Sequence, residues 1–138
     1  MTEARARFPE LLDRVRAGDW QMIGRRGRCE GVLADAEDLG LLLARCCPFA
    51  PQVFVEEAAV GIYLDELDVH GAGATLEEAQ EDLIDATLEY IEAWRDHLHA
   101  APNHREHVGH VRRLQMAVDR EGIARVLFGA EGAATESR

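Results

Sequence analysis

The sequence predicts an α+β protein made of two small modules, and three observations lead to this prediction. Short strand-like runs alternate with amphipathic helical stretches. The run CCPFAPQ, with two prolines, has the composition of a linker and separates the modules at about residue 46. The charge divides at nearly the same place: residues 1–50 hold 8 Arg and 8 Asp or Glu, whereas residues 51–138 hold 7 and 18.

Composition restricts the partners of the protein. The 138 residues carry a formal net charge of −11, and the whole acidic excess lies in the second part. A segment that acidic does not bind nucleic acid, because phosphate binding needs cationic side chains. No apolar run approaches the ~20 residues that span a bilayer, and no charged-then-apolar leader opens the chain. We therefore expect a cytoplasmic protein without a membrane partner.

Residues 1–46 are predicted to form a helix, a hairpin and a second helix. TEARARFPELLDRVRA is helical in pattern, but proline fits only the first turn of a helix. A break is therefore expected near Phe8, before a helix over Pro9–Ala17 that Gly18 stops. The apolar residues of this helix recur with helical spacing and form one face: Phe8, Leu11, Leu12 and Val15.

The hairpin of the first module is predicted from its turn. The strand-like runs WQMIG and CEGVLA flank Arg25-Arg26-Gly27-Arg28, and Gly27 can take the positive φ that a tight hairpin needs. Asp35 is the predicted N-cap of the next helix, over 36–45. Three arginines thus stand at a hairpin tip in an electrically balanced module.

Residues 47–128 are predicted to form a three-stranded antiparallel meander with long helices. The strand candidates are VFVEE, AVGIYLDEL and VHGAGA. Thr75 and Glu78 form a capping box for a helix over about 75–99. The predicted buried stripe of that helix consists of Leu76, Leu83, Leu88, Ile91, Trp94 and Leu98.

The chain after Pro102 is predicted to hold a last helix over about 104–121. Gly122 is expected to interrupt it before IARVLF. Residues 129–138 have almost nothing to bury, so a disordered tail is expected there. The apolar face of the last helix consists of Val108, Val111, Leu114 and Val118.

Five pieces of the first module, TEAR, F-x-x-LLDRV, AG, RRGR and VLADAED, fall in an order and spacing that carry a resemblance. In the order and spacing of these pieces, the first module resembles the prevent-host-death (Phd/YefM) antitoxins of bacterial toxin–antitoxin systems. The resemblance implies a homodimer or higher oligomer that binds operator DNA and represses its own operon. The positions that match the DNA contacts of the family are Arg5, Arg25, Arg26 and Arg28.

The second module carries a different resemblance. The segment that carries it is GIYLDELDVHGAGATLEEAQEDLIDATLEYIEAW. It is similar to the HicB-like antitoxin fold, a partial ribonuclease-H-like unit. In that fold a strand that ends in small residues precedes T-L-E-E-A and an amphipathic helix. Asp68-Val69-His70 stands where the family usually has Pro-Gly-Cys. The resemblance implies a module that binds a toxin.

The basic turn has two interpretations. An arginine is planar, permanently charged and able to contact phosphate or guanine through two hydrogen bonds, so a tip that shows several arginines suits DNA. The alternative is a solvated turn that is kept polar for solubility. The resemblance to the prevent-host-death antitoxins favours the DNA contact.

The acidic helix also has two interpretations. Its carboxylates can be the solvated face opposite the apolar stripe, or they can form a surface for a cationic protein partner. Ribonuclease toxins bind RNA and are therefore suited to an acidic antitoxin. The candidate toxin-binding residues are Glu77, Glu81, Asp85, Glu89 and Glu92.

Metal binding and catalysis are not expected. Histidines crowd the junction of the last two helices, with His104 and His107 at i, i+3, but a site would need a further ligand such as Asp96 or Glu106. The three cysteines lack paired C-x-x-C spacing. The acidic residues Asp65, Glu66 and Asp68 resemble a metal-nuclease cluster, yet such a site needs acids on separated elements. No cofactor is expected.

The sequence is therefore interpreted as a type II antitoxin that occludes its toxin. By family association the toxin is a ribonuclease, for example of the VapC/PIN-domain type. The main rival is an orphan HicB-like binding or regulatory protein that has no toxin. The enzyme rival is a metal-dependent nuclease, which predicts cleavage that Asp65→Asn abolishes.

Overall fold

The computed structural model describes residues 2–117 and 119–129. The chain divides into two compact units between Leu42 and Leu43. This division falls within a helix, a few residues before the boundary that the linker composition predicts at 46/47, and that boundary stays a prediction. The two units are described separately below.

The first helix, α1, runs without a break over Thr2–Arg16. The break expected at Phe8 is therefore wrong, and Pro9 lies inside the helix. Proline removes a single hydrogen bond from the ladder, the one to the carbonyl of Arg5. Both Pro9 and Arg5 are exposed, so water can satisfy that carbonyl and the helix continues.

Gly18 ends α1 as predicted. It has φ +92°, and its N–H donates to the carbonyl oxygen of Val15 at 3.0 Å. The side chain of Asp19 accepts from Arg14 Nη2 at 2.7 Å and from Arg14 Nε at 3.0 Å, which ties the last turn to the chain that follows. Among residues 5–42, only Val15 is buried.

The predicted hairpin and second helix of the first unit are confirmed. The strands are β1 (Gln21–Arg25) and β2 (Arg28–Leu33), which pair antiparallel. The helix α2 spans Ala36–Cys46. Its N-cap is Asp35, whose Oδ1 accepts from the N–H of Asp38 at 3.1 Å.

The second unit contains an antiparallel three-stranded sheet in the order β3-β4-β5, as the sequence predicts. The strands are β3 (Gln52–Glu56), β4 (Ala59–Leu64) and β5 (Val69–Gly73). One face of the sheet packs against α3 (Leu76–Asp96), which lies chiefly along β5 and partly along β4.

The small residues of β5 bring α3 close to the sheet. A Cβ atom on Gly71 would lie 2.5 Å from the carbonyl oxygen of Ala79 and 2.7 Å from Cα of Leu83. A Cβ atom on Gly73 would lie 2.7 Å from the backbone nitrogen of Ala79. The helix backbone therefore occupies the space that larger side chains would need.

The capping box of α3 forms with one difference from the prediction. Thr75 Oγ1 accepts from the N–H of Glu78 at 3.2 Å. The carboxylate of Glu78 reaches back to the N–H of Ala74 at 2.8 Å, one residue before the cap. The buried residues of the helix are Ala79, Leu83, Ile84, Thr87, Ile91 and Trp94, while the predicted Leu76, Leu88 and Leu98 are half-buried.

The region after α3 is more divided than predicted. Short 3-10 helices over Leu98–Ala100 and Pro102–His107 precede α4 (Val108–Gln115) and α5 (Arg120–Phe128). The interruption expected at Gly122 occurs before it instead, because Asp119 caps α5 and accepts from the N–H of Gly122 at 2.8 Å. Val118 and residues 130–138, including most of the predicted tail, lie outside the described residues.

The helices and the sheet of the second unit enclose one apolar core. Its largest fully buried side chains are Ile62, Leu64, Leu67, Leu83, Leu114, Val111 and Thr87. None of the helices in the described parts of the chain has the length and apolar character needed to cross a membrane.

Candidate functional site

The basic turn forms the tip of the β1–β2 hairpin. Arg26 and Gly27 are its two central residues, with φ values of +52° and +76°. Positive φ at both positions is the backbone of a type I′ turn, whose twist suits a two-residue hairpin. Arg26 occupies a conformation that favours glycine or asparagine, so its place there carries a conformational cost.

The other two arginines of the turn are opposite each other across the hairpin. Arg25 and Arg28 are cross-strand partners, so their side chains leave the same face. Like charges at such a position repel. Glu30 offsets this in part, since its Oε2 lies 3.5 Å from Arg25 Nε, but all three side chains are exposed. The tip is thus a small cationic surface that an anion would stabilise.

Arg5, the fourth candidate DNA contact, is on a different element. It lies in the first half of α1 and is exposed. The structure therefore gathers Arg25, Arg26 and Arg28 into one tip and places Arg5 apart from them on the helix.

The five candidate toxin-binding residues share one exposed side of α3, but they differ in their partners. Arg120 of α5 donates to Glu81 Oε2 at 2.6 Å and to Asp85 Oδ1 at 2.5 Å. The hydrogen bonds that Arg120 donates to Asp85 and then to Glu81 raise the pKa of Arg120 above its usual value. Two of the predicted carboxylates, Glu81 and Asp85, therefore share the single positive charge of Arg120 within the unit.

Three candidate carboxylates remain without such a partner. Glu77, Glu89 and Glu92 are exposed and form no ion pair with any described residue. Two further acids of the helix bind the edge of the sheet instead. Asp82 accepts from the N–H of Ala72, and Glu78 accepts from the N–H of Ala74, each at 2.8 Å. The acidic face of α3 is thus Glu77, Glu89 and Glu92.

A cleft adjoins this acidic face. It has a volume of 340 Å³ and lies between α3 and the last two helices, with Glu92, Arg95 and Arg120 at its rim. Its apolar lining includes Leu88, Ile91, Leu114 and Ile123. A bulky side chain of a partner could enter it beside the carboxylates.

The histidines do not converge as a group of five. His97 contacts the carboxylate of Asp96, His99 contacts the carbonyl of Trp94, and His110 contacts the carbonyl of Pro48. Only the predicted i, i+3 pair meets, at a tyrosine: the Nδ1 atoms of His104 and His107 lie 2.8 and 2.6 Å from the hydroxyl of Tyr90.

The Tyr90 hydroxyl restricts the protonation of both rings. It has one proton to donate to one Nδ1, and its oxygen can accept the Nδ1–H of the other ring. If both rings were protonated, the hydroxyl proton would lose its acceptor. Burial lowers the pKa of His107, and the neighbouring His104 and, more weakly, His110 lower it further. Glu106 and Asp68 raise it, but the net shift is downward.

Acid is therefore expected to destabilise the packing of residues 102–107 on α3. Because the folded-state pKa of His107 lies below the ordinary 6.5, the unfolded chain binds the proton more readily. This contribution to the free energy of unfolding is complete above about pH 6.5. It falls as the pH drops from there toward the folded-state pKa. Urea unfolding between pH 7.5 and 5.5 measures it, and His107→Gln should show a flatter dependence; an equal slope would contradict the assignment.

The candidate metal and nuclease residues have separate partners. Glu66 accepts from the N–H of Ala50 at 2.8 Å, and Asp68 accepts from the hydroxyl of Tyr63 at 2.8 Å, which raises the pKa of that hydroxyl. Cys47 packs against Gly109, whereas Cys29 and Cys46 are exposed. Within residues 2–117 and 119–129, no three His, Cys, Asp or Glu side chains are placed to hold a metal ion.

Two features of the site escape sequence reasoning. The ion pairs of Arg120 join residues that are far apart in the chain, so no local sequence pattern predicts them. The contact between Tyr90 and the two histidines also depends on how the 3-10 segment folds back. The one available signal was the i, i+3 spacing of His104 and His107, which correctly predicted that they are neighbours.

Comparison with known proteins identifies the class of protein. Residues 1–129 match the PHD-like family, described as "Antitoxin of toxin-antitoxin, RelE / RelB, TA system". The chain belongs to this antitoxin family. Membership implies that the antitoxin binds a cognate toxin. A search of curated sequences gives no match.

The fold of this antitoxin has a counterpart among solved structures. It is similar to the antitoxin part of a proposed toxin/antitoxin system from Syntrophomonas wolfei subsp. wolfei, with a TM-score of 0.74 and 17% identity. The similarity covers 92% of this chain and 93% of the other. At that identity the comparison establishes the mixed α+β fold alone.

Proposed function

We propose that this antitoxin neutralises a ribonuclease toxin by covering its RNA-binding surface with the acidic face of α3. The observation that carries the proposal is that Glu77, Glu89 and Glu92 stay exposed and without ion pairs among the described residues. A ribonuclease must attract RNA phosphates with cationic side chains, so its active surface is complementary to such a face. The antitoxin acts by occlusion.

The resemblance of the second unit to the HicB-like fold supports the assignment of toxin binding to this unit. The strand of small residues, the capping box and the amphipathic helix lie together, as that pattern requires. We assign toxin binding to this HicB-like unit, and by family association we propose a ribonuclease toxin, for example of the VapC/PIN-domain type.

The test of this function is the gene next to the antitoxin gene. We expect expression of the neighbouring gene alone to stop growth and co-expression of the antitoxin to restore it. The purified pair should form a stable complex in which RNA cleavage is lost. If no neighbour is toxic alone and rescued by this protein, the antitoxin has no toxin there and an orphan regulator replaces the proposal.

We also propose that the first unit dimerises and binds operator DNA, as a Phd/YefM-like module. Its surface supports self-association, because few of its apolar side chains are buried. The side chains of Met22 and Leu41 are 64% and 66% exposed. An isolated unit with one buried side chain among residues 5–42 lacks a core of its own, and a second copy would supply one.

Replacing Arg25 and Arg26 by alanine is expected to weaken binding to the upstream promoter by roughly 100-fold or more, because each lost charge-assisted hydrogen bond is worth roughly 1.5–3 kcal/mol. The dependence of the binding constant on salt should also become shallower, since fewer counterions are released. Fluorescence anisotropy with a labelled promoter fragment, at several salt concentrations, measures both effects.

The matched control removes two arginines from α1. Arg7→Ala with Arg16→Ala changes the net charge equally and leaves the hairpin tip intact. A double variant at the tip that binds the promoter as tightly as the control would exclude the tip as the DNA contact.

A further inference from the structure

The strand β3 lies at an unprotected edge of the sheet. All five of its residues are exposed, and the side chains of Val53, Phe54 and Val55 are 56%, 46% and 71% accessible. Those of Val53 and Val55 leave opposite to Phe54, so both faces of the strand are apolar. The helix α3 packs mainly against β5 and partly against β4, and β3 is not among the elements with which it makes extensive contact.

The opposite edge of the same sheet is partly protected by carboxylates of α3. Along β5, the backbone N–H groups of Ala72 and Ala74 donate to the carboxylates of Asp82 and Glu78, each at 2.8 Å. Natural sheets protect their edges with charges, proline or bulges, because unpaired N–H and C=O groups recruit another strand. The sequence QVFVE of β3 has no lysine or proline, its one charged residue is Glu56 at the end of the strand, and its register with β4 is continuous.

We propose that β3 pairs antiparallel with β3 of a second copy, centred on Phe54. The two sheets then join into one sheet of six strands. Val53 of each copy is opposite Val55 of the other, and Gln52 is opposite Glu56. Val53 and Val55 direct their backbone groups outward, so the pairing adds about four hydrogen bonds.

The sequence of β3 suits its own copy in this orientation. Gln52, Phe54 and Glu56 leave one face, and Val53 and Val55 the other, so reversal of the strand matches apolar with apolar and amide with carboxylate. The alternative parallel arrangement would set the Glu56 and Glu57 of both copies side by side. Like charges disfavour that arrangement.

The surroundings of β3 also suit an antiparallel second copy, because they combine apolar walls with one arginine. A cleft of 570 Å³ lies beside the strand, with apolar walls that include Val53, Ile62, Leu76 and Phe128. Arg113 also lines it, held over the ring of Phe49 at 5.5 Å and bonded to the carbonyl of Cys47 at 3.0 Å. An antiparallel partner brings its Val55 to the mouth of this cleft and its Glu56 and Glu57 toward the arginine.

The pairing does not depend on antitoxin activity. It adds a second interface to any dimer that the first unit forms, because the residues involved belong to the second unit alone. Two different symmetric interfaces on one chain generate tetramers or larger assemblies. The β3 contact therefore determines whether the antitoxin grows beyond a dimer.

The first experiment is a register-specific disulfide. Phe54→Cys is introduced into the full chain with Cys29→Ser, Cys46→Ser and Cys47→Ser. In the proposed register the two Cys residues at position 54 are directly opposite, at a non-hydrogen-bonded pair with Cα atoms about 4.5 Å apart, within the range that a disulfide spans. We expect a covalent dimer under mild oxidation. The matched Val55→Cys chain should stay uncrosslinked, since its thiols are offset; equal crosslinking, or none at position 54, would overturn the proposal.

A second set of variants tests the pairing without cysteine. Val53→Lys with Val55→Lys places lysine opposite lysine, and we expect it to halve the molar mass measured by light scattering. Ala58→Lys, in the neighbouring turn, should leave the mass unchanged. Mixing the double lysine variant with Val53→Glu, Val55→Glu should restore the larger mass. An unchanged mass with lost toxin binding would instead assign the edge to the toxin and refute pairing with a second copy.

Discussion

Replacing Gly71 by alanine is expected to lower the free energy of unfolding of the second unit by about 3 kcal/mol or more, at the upper end of the overpacking range. The added methyl group would meet the carbonyl of Ala79 and the backbone of Leu83, which are parts of a helix and cannot rotate away. Either α3 moves off the sheet or the strand bends. Both responses separate the helix from the core that its buried face completes.

The measurement can be restricted to the second unit. In a Trp20→Phe background, the fluorescence of the buried Trp94 reports on this unit during urea unfolding. The matched variant is Gly61→Ala, a sheet glycine whose obstacle is the ring of Phe54. That ring belongs to an exposed side chain and can swing away, so we expect a loss of about 1 kcal/mol. Equal losses for the two variants would contradict the role given to the helix backbone.

Local signals in the sequence predicted most of the elements. Asp35 and Thr75 cap the helices predicted to begin after them. Gly18 ends α1 and Gly27 lies in the hairpin turn, as predicted, and both have positive φ. These signals succeed because each acts through hydrogen bonds or backbone angles of its immediate neighbours. The small residues of β5 were also visible, although their purpose, the close approach of α3, became clear only from the packing.

The wrong predictions arose where packing or capping elsewhere decided the outcome. The position of Pro9 predicts a helix start, but the carbonyl that it leaves without a partner is exposed, and the helix continues through it. Gly122 predicts a break, whereas Asp119 caps the start of α5 and Gly122 lies buried inside the helix. Its smallness is used in packing, since a Cβ atom there would lie 3.1 Å from Cβ of Ala117.

The candidate site was predictable in residue type and only partly in role. The five acids of α3 are exposed as expected, but a sequence does not show that Arg120 reaches back across 35 and 39 positions to Asp85 and Glu81. Long-range ion pairs have no local pattern. The same limit applies to β3, whose apolar run predicted a strand but did not show that the strand lies at the bare edge of the sheet.

Reversing the charge of Glu89 and Glu92 to arginine is expected to weaken toxin binding by about 100-fold or more, because like charges across an interface cost several kcal/mol. Both side chains are exposed, so the fold should tolerate the change. At low salt the association rate constant should fall most, since long-range attraction steers encounter and salt screens it. Surface plasmon resonance with immobilised toxin at two salt concentrations separates association from dissociation.

Two further variants distinguish the acidic face from net charge alone. Glu10→Arg with Glu37→Arg makes the same change in net charge on the first unit and should leave toxin affinity nearly intact. Arg120→Ala should raise the association rate constant, because it releases Glu81 and Asp85 from their ion pairs and enlarges the acidic face. Faster association for Arg120→Ala, with slower association for the Glu89 and Glu92 double variant, is the pattern that the acidic face requires. If the control on the first unit weakened binding as much as the double variant, overall charge rather than α3 would guide the toxin.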